Sequence, residues 1–444
     1  MLRPVARGLM LAAIAAQAIL AIAYGVPGHL SVDSVVQLYE GRTHQFISFH
    51  PPMMSMLLGV LDRIVPGTAL FVLLDQALLT GALLLLWRGC GRSMGLPGAV
   101  LAAAVALNPL LIAYTGIVWK DVLFAHLALF GYACLLQAAA GAGDASRVAW
   151  STACLIALAL AASLRQQGLL VALPAIGYAS FAFGRGWLVR FALAAAGVAV
   201  VLGINAGILA VADRIAVGDP PPRASIGLRG LLLYDLVGVV ARGGELADAQ
   251  ATADARALVP TFDSYRIDGL ATPAPGTTLD KRFDAQPVGF WWRSVATSPL
   301  VYAQHRFDHF AKLLGFGDMN RCLPLHVGVV DKLVHPNLQR DLVPELRLVG
   351  GVDARAQRIY DTLRPHFSGP LFRHWAWTLL LTVATALHFW RGAAALGWLG
   401  VGTLAFAASY LVISIACDFR YIYVLPVATT GLWFALFAGA WRQR

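Results

Sequence analysis

Charge is scarce in this sequence. Asp, Glu, Lys and Arg make up 13% of 444 residues, against 58% hydrophobic residues and a mean hydropathy of +0.67. So little charge speaks against a soluble domain and points to a polytopic membrane protein. Lysine is scarce too: only Lys120, Lys281, Lys312 and Lys332 are present. The formal charge of +10 comes from arginines scattered between apolar stretches, not gathered on one face, which argues against nucleic acid as a partner. The five cysteines show no CxxC spacing and no metal-site pattern. Strict alternation is missing too. The apolar runs are long, continuous and rich in Ala and Leu, unlike the strands of a β-barrel. No repeat period stands out. A basic start at Arg3 and Arg7 is followed by no convincing small-residue cleavage site, so the first apolar run reads as a retained signal-anchor helix.

About ten stretches of membrane-spanning length remain, near 8–24, 68–87, 97–114, 122–140, 148–164, 168–183, 191–212, 374–390, 394–416 and 422–440. Residues 53–66 are apolar but carry Asp62 and Arg63, which suggests a membrane-surface helix instead of a crossing. With the N-terminus inside, Arg3, Arg7, Arg88, Arg92, Arg147, Arg185, Arg190, Arg391, Arg442 and Arg444 all fall on the cytoplasmic side, with Asp144 almost the only acid among them. All four lysines fall outside. The arginines, not the lysines, show the bias of the positive-inside rule, and they place both termini in the cytoplasm.

The expected fold is therefore an all-α polytopic membrane protein of about ten transmembrane helices with a small, mostly helical outer domain. Its parts are an N-terminal membrane domain with long outer loops (1–212), an extracytoplasmic domain (213–372) and C-terminal membrane helices (373–444). The middle part opens with Asp219-Pro-Pro-Pro222, a stiff extended exit. Residues 245–258 suggest an exposed helix, and 299–316 an amphipathic helix lying on the bilayer. Cys322 and Cys417 would share an oxidising compartment, which permits a disulfide between them.

The polar residues that interrupt the spans carry the functional signal. Asp33, His50, Lys120-Asp121, Arg165 and Arg420-Tyr421 all emerge on the same, outer side. Ionisable groups at a membrane border are costly without partners or water, so a shared face for them suggests a site. Asp33 is placed to act as a general base if partial desolvation raises its pKa, or simply to cap a helix starting near Ser34. His50, fixed by Pro51-Pro52, could meet a phosphate or sugar hydroxyl, or sit idle at the interface. Asp121 stands where a helix dipole favours a carboxylate. Lys120 beside Trp119 is placed to hold a lipid phosphate. Arg165 and Arg420 run against the charge bias; bidentate phosphate binding would explain them, and so would snorkelling. His305 and His309 have the i, i+4 spacing of metal ligands, but no Glu follows the first, and a solvated helix face is the plainer reading.

These residues, taken together, resemble the GT-C superfamily of integral-membrane glycosyltransferases, near its protein-mannosyltransferase and aminoarabinose-transferase branch. The resemblance rests on Ser31-Val-Asp33-Ser34 after the first span and on His50-Pro-Pro-Met-Met-Ser-Met-Leu-Leu before a surface helix. It rests also on Lys120-Asp121-Val-Leu-Phe-Ala, Arg165-Gln-Gln-Gly168 and Arg420-Tyr421-Ile-Tyr-Val-Leu-Pro426. It covers roughly 1–210 and 373–440, leaving the middle domain unmatched. It implies transfer of a sugar from a polyprenyl-phosphate donor to a glycan, lipid or protein acceptor on the outer face of a bacterial inner membrane. Asp33 and Asp121 would then be catalytic. Lys120, Arg165, Arg420 and Tyr421 would bind the donor phosphate, and His50, Glu40 and Gln166 would contact substrate. Asp121 would orient the acceptor or help hold a divalent cation, Mg or Mn, with the phosphate, and the resemblance leaves the metal open.

A transporter or flippase of lipid-linked sugars is the rival reading. It would call for charged groups deep within the spans, and Asp75 is the only clear acid there.

Overall fold

The computed structural model describes residues 2–46, 50–90, 94–141, 143–218, 223–325 and 354–439. The expected Pro-rich exit at 219–222, together with Arg92, Lys332, Arg442 and Arg444, lies outside them. Among the described residues the chain is all helix, with isolated bridges and no strand. It is an all-α, multi-pass membrane protein, and eight stretches are long and apolar enough to cross a bilayer.

The membrane bundle begins with α1 (Leu2–Gly25). Then come α4 (Ala69–Gly89), the broken pair α5 (Leu96–Ala106) and α6 (Pro109–Thr115), α7 (Lys120–Ala140), α8 (Asp144–Leu164), α9 (Leu169–Phe183) and α10 (Trp187–Ile215). It closes with α17 (His374–Trp390), α18 (Ala394–Ile413) and α19 (Val424–Ala438). Each of the ten expected spans meets one of these helices or pairs. Three are shorter than a full crossing: α9 and α19 have 15 residues each and α17 has 17, and of these only α19 reaches crossing length, through the helical turn that begins at Phe419. The third expected span is broken because Pro109 has no N–H to donate, while the Asn108 side chain accepts from Leu110 and starts a new helix. Deep in the bundle, Asp75 and His126 are fully buried and meet at 2.9 Å, so the acid expected inside the second span is spent on packing α4 against α7.

One helix was expected only as the alternative reading of Asp33, and one was not expected at its place. The polar segment after α1 contains α2 (Val32–Thr43), and the stretch read as the start of a polar domain contains α11 (Arg223–Ala241). α2 lies on the expected surface helix, α3 (Pro52–Ile64), at 13 residues too short to cross. The two helices touch backbone to backbone. A Cβ on Gly41 would sit 2.2 Å from the Ser55 carbonyl oxygen, and one on Gly59 2.2 Å from that of Gly41. Arg42 clamps the same contact, its Nη2 2.6 Å from Asp62 Oδ1.

The middle segment has its own small core, where Leu232, Leu236 and Val237 of α11 pack with Phe283 and Phe290. Around it stand α12 (Ala249–Leu258), α13 (Thr278–Ala285), α14 (Pro287–Thr297) and α15 (Pro299–Leu313); α16 (Ala354–Leu363) follows in the chain. α12 is only half exposed, since Ala251, Ala255 and Leu258 are buried. α15 departs further from expectation. His305, Arg306 and His309 are buried, so this face is not solvated. The reason is Asp235 of α11, 2.5 Å from Arg306 Nη2 and 3.3 Å from His305 Nε2; a buried charge keeps its partners with it. His305 fits there because position 238 is glycine: a Cβ would fall 2.3 Å from the ring. Cys322 and Cys417, 95 positions apart, form a disulfide.

Candidate functional site

The polar clusters converge because short backbone contacts force them together. The chain after α1 pairs with the chain before α7: the His29 N–H donates to the Gly116 carbonyl at 2.8 Å, and the Val118 N–H to that of His29 at 3.0 Å. Gly25 and Gly116 permit this approach, since a Cβ on Gly25 would lie 2.7 Å from Gly116 Cα. Side chains lock the join. The Ser34 hydroxyl donates to the Val118 carbonyl at 2.6 Å, and the Trp119 indole N–H to the Ser31 hydroxyl at 2.8 Å. Asp33 and Lys120 are thereby fixed side by side. Ser31, not Asp33, is the N-cap of α2, so the capping role considered for Asp33 is corrected.

The other wall is the turn between α18 and α19. It is tied to the middle segment by the Cys322–Cys417 disulfide and by two backbone bonds, Ile267 N–H to the Ile415 carbonyl at 2.9 Å and Cys417 N–H to the Tyr265 carbonyl at 3.0 Å. This turn presents Asp418, Arg420 and Tyr421.

Between the walls lies a cavity of about 570 Å³, lined by Asp33, His50, Lys120, Asp121, Arg165, Arg420 and Tyr421. Seven of the nine expected site residues therefore share one hollow. Gln166 lines an adjoining hollow of about 300 Å³ that shares His50, Lys120 and Arg165, and whose remaining wall is largely apolar, with Leu164, Leu228 and Leu231. Glu40 is the exception and is corrected here. It is buried between α2 and α3, accepts a hydrogen bond from Ser55 Oγ at 2.6 Å, and lines neither hollow. Its position on the inner face of α2 fits helix packing better than substrate contact.

Charges in the cavity are paired in a definite order. Arg420 Nη1 lies 2.7 Å from Asp33 Oδ2, and its guanidinium lies over the Trp119 ring at 5.0 Å. Arg165 donates to Asp121 and lies over the Tyr421 ring at 5.1 Å. Arg266 Nη2 is 2.6 Å from Asp418 Oδ1, and Arg420 Nε is 3.5 Å from Asp418 Oδ2. Lys120 differs. Its ammonium makes no ion pair or hydrogen bond among the described residues, although the residue is only 8% exposed and faces the cavity.

The electrostatics correct one expectation. Burial pushes the Asp33 carboxyl up, but Arg420, His50 and Lys120 outweigh it and hold the group below the usual carboxylate range. Asp33 is thus a weak base while it is paired with Arg420. His50, 3.9 Å from Asp33, is pushed down to about 3 by burial and by the Lys120 charge, so near neutral pH it is a hydrogen-bonding imidazole and not a cation. Asp418 moves the other way, raised by burial despite Arg420 and Arg266.

The donor set does not fit a divalent cation well. Asp33, Asp121 and Asp418 each hold an arginine, and no group of three or more His, Cys, Asp or Glu is gathered for a metal among the described residues. A Mg or Mn ion would have to displace those guanidinium groups to reach oxygen ligands. The His305–His309 pair is likewise occupied: His305 by Asp235, His309 by the Tyr234 hydroxyl at 3.1 Å and the Ser264 carbonyl at 3.0 Å.

Asp418 and Arg266 were not anticipated. Asp418 could have been found, since it stands between Cys417 and Arg420 in a cluster already singled out. Arg266 lies in the middle segment with no motif around it.

No protein-family model and no curated protein matches the sequence. Among solved structures, the chain is similar to the oligosaccharyltransferase AglB of Archaeoglobus fulgidus, in complex with an inhibitory peptide and a dolichol-phosphate. That match has 12% identity and a TM-score of 0.39, over 96% of this chain and 50% of that one. It is also similar to ArnT of Cupriavidus metallidurans. The apo form has 14% identity and a TM-score of 0.38, over 98% of this chain and 77% of that one. ArnT bound to undecaprenyl phosphate gives 14% identity and 0.36, over 97% and 77%. The chain spans about half the length of the archaeal enzyme.

Proposed function

We propose that this protein is a membrane glycosyltransferase that moves a sugar from a polyprenyl-phosphate donor to a hydroxyl acceptor. The observation that carries the reading is Lys120: an unpaired cation facing a cavity in which the neighbouring cations are already neutralised. An anionic group entering there meets a cation with no ion pair of its own. The adjoining hollow walled by Leu164, Leu228 and Leu231 suits the hydrocarbon end of such a donor. The GT-C resemblance of the Asp33, Lys120-Asp121 and Arg420-Tyr421 motifs points the same way.

In this reading the acceptor oxygen bonds to the anomeric carbon as the bond from that carbon to the phosphate oxygen breaks. The electron pair leaves with the phosphate, whose growing charge Lys120 and Arg165 stabilise. The acceptor proton goes to Asp33. Asp33 is a poor base while Arg420 holds it, so donor binding has a second effect. A phosphate that draws Arg420 toward itself weakens the Arg420–Asp33 pair and lets the carboxylate regain basicity. Asp121 keeps Arg165 oriented. His50 and Gln166 are assigned to substrate hydrogen bonds. Loading from the outer leaflet of a bacterial inner membrane, with both termini cytoplasmic and 213–372 as the outer domain, completes the proposal.

The test is turnover. Purified protein given a labelled polyprenyl-phosphate sugar should release polyprenyl phosphate, and Lys120→Ala should lose most of that activity. Movement of intact donor across a vesicle membrane with no bond cleaved would favour a flippase and overturn this reading.

A further inference from the structure

The bundle carries another hollow, far from the cationic cavity. It has a volume of about 250 Å³ and lies between α8, α9 and α10. Arg147, in the first turn of α8, stands at its edge, whereas Arg165 of the cationic cavity follows the last turn of the same helix. At 1.5 Å per residue the two arginines are about 27 Å apart along the helix. The hollows therefore lie toward opposite borders of the membrane bundle.

The walls are almost wholly apolar, with Leu155, Ile176, Ala179 and Leu193 among them, and Arg147 is the only charged residue that lines it. The Ser151 hydroxyl, buried at the same end, has no hydrogen-bond partner among the described residues. The Arg147 guanidinium lies 5.5 Å from the centre of the Phe183 ring, which fixes it over the mouth. Its one carboxylate partner, Asp144, is 95% exposed at 2.9 Å, and an exposed pair of this kind holds its arginine weakly. Arg185 and Arg190 follow Phe183 in the turn before and the start of α10, which adds positive charge to the same end of the bundle.

We propose that this hollow is a binding site for one anionic phospholipid, with an acyl chain between α8, α9 and α10 and the phosphate on Arg147. Charge complementarity selects the headgroup: a cation sits at headgroup depth above an apolar slot, and a phosphate without a compensating positive charge satisfies it best. The site is independent of the proposed transfer reaction, since it shares no residue with the cationic cavity.

The experiment is native mass spectrometry of the full-length protein in detergent, with phosphatidylglycerol and phosphatidylcholine supplied in equal amounts. The expected result is one retained phosphatidylglycerol per chain, preferred over phosphatidylcholine by roughly fivefold. Arg147→Gln should erase the preference, and Ala179→Phe, which fills the slot, should abolish retention of both lipids. Equal retention of the two lipids by the wild type, or an unchanged preference in Arg147→Gln, would overturn the proposal. Arg147 is a surface residue, so that variant remains decisive even if Ala179→Phe fails to fold.

Discussion

Arg420, near the end of the chain, places its Nη1 2.7 Å from the carboxylate of Asp33, near the beginning, and the pair closes one side of the cavity. Asp33 finds no cation in its own local sequence, and the site exists only when the two ends of the chain are folded together.

This pair sets a pH dependence. The Asp33 carboxyl is depressed in the folded state, so its contribution to stability is fully present above the ordinary carboxylate range and is lost as pH falls through the folded value. In Arg420→Gln the largest lowering influence is gone and the carboxyl rises. The acid limb of kcat/KM should then move up by about one to two pH units. An unshifted limb in Arg420→Gln would remove Asp33 from the role of base.

Lys120→Ala should lower kcat/KM on the order of 10²-fold, the usual cost of removing a group that stabilises developing negative charge. Lys120→Arg should recover part of it. Binding of polyprenyl phosphate alone, measured by calorimetry, should weaken in the alanine variant; unchanged affinity would separate Lys120 from the phosphate.

Glu40→Gln should behave differently. The carboxylate accepts from Ser55 inside the α2–α3 contact, and weakening that hydrogen bond should cost about 1–3 kcal/mol of stability. Turnover per folded molecule should stay at the wild-type level. A selective loss of activity with an unchanged melting temperature would return Glu40 to the substrate site.

Chelation should leave activity intact. Each carboxylate facing the cavity is held by an arginine, so EDTA treatment followed by Mg or Mn addition should change turnover little. A strict requirement for added metal would mean that the arginine pairs open in the working enzyme.

Cys322→Ser or Cys417→Ser should destabilise the protein by about 3–5 kcal/mol, because the bond closes a long loop of 95 residue steps. The same change frees the wall that carries Asp418 and Arg420, so activity should fall under reducing conditions in the wild type as well.

Much of this was legible in sequence. Spans announce themselves by length and apolarity, and in an alternating bundle their polar ends must surface in register; that logic alone brought Asp33, Lys120, Arg165 and Arg420 to one side. Glu40 was misplaced because sequence distance from Asp33 says nothing about which face of α2 it occupies; the glycines at 41 and 59, which bring α3 onto that face, act only in three dimensions. The basicity expected of Asp33 failed for a similar reason, since its dominant neighbour is Arg420 from the far end of the chain. α11 was missed because Arg229 and Asp235 interrupt an otherwise apolar run, and Asp235 is tolerated only because α15 brings Arg306 to it.

Arg306 also has a mechanical meaning. It grips Asp235 on α11 with one nitrogen and, with another, donates to the Ser414 carbonyl at 2.6 Å, while α11 and Ser414 both border the cavity. Roof and rear wall are thus riveted into a single body. Parting them would break a buried ion pair and a hydrogen bond together, so on this side the chamber keeps one shape.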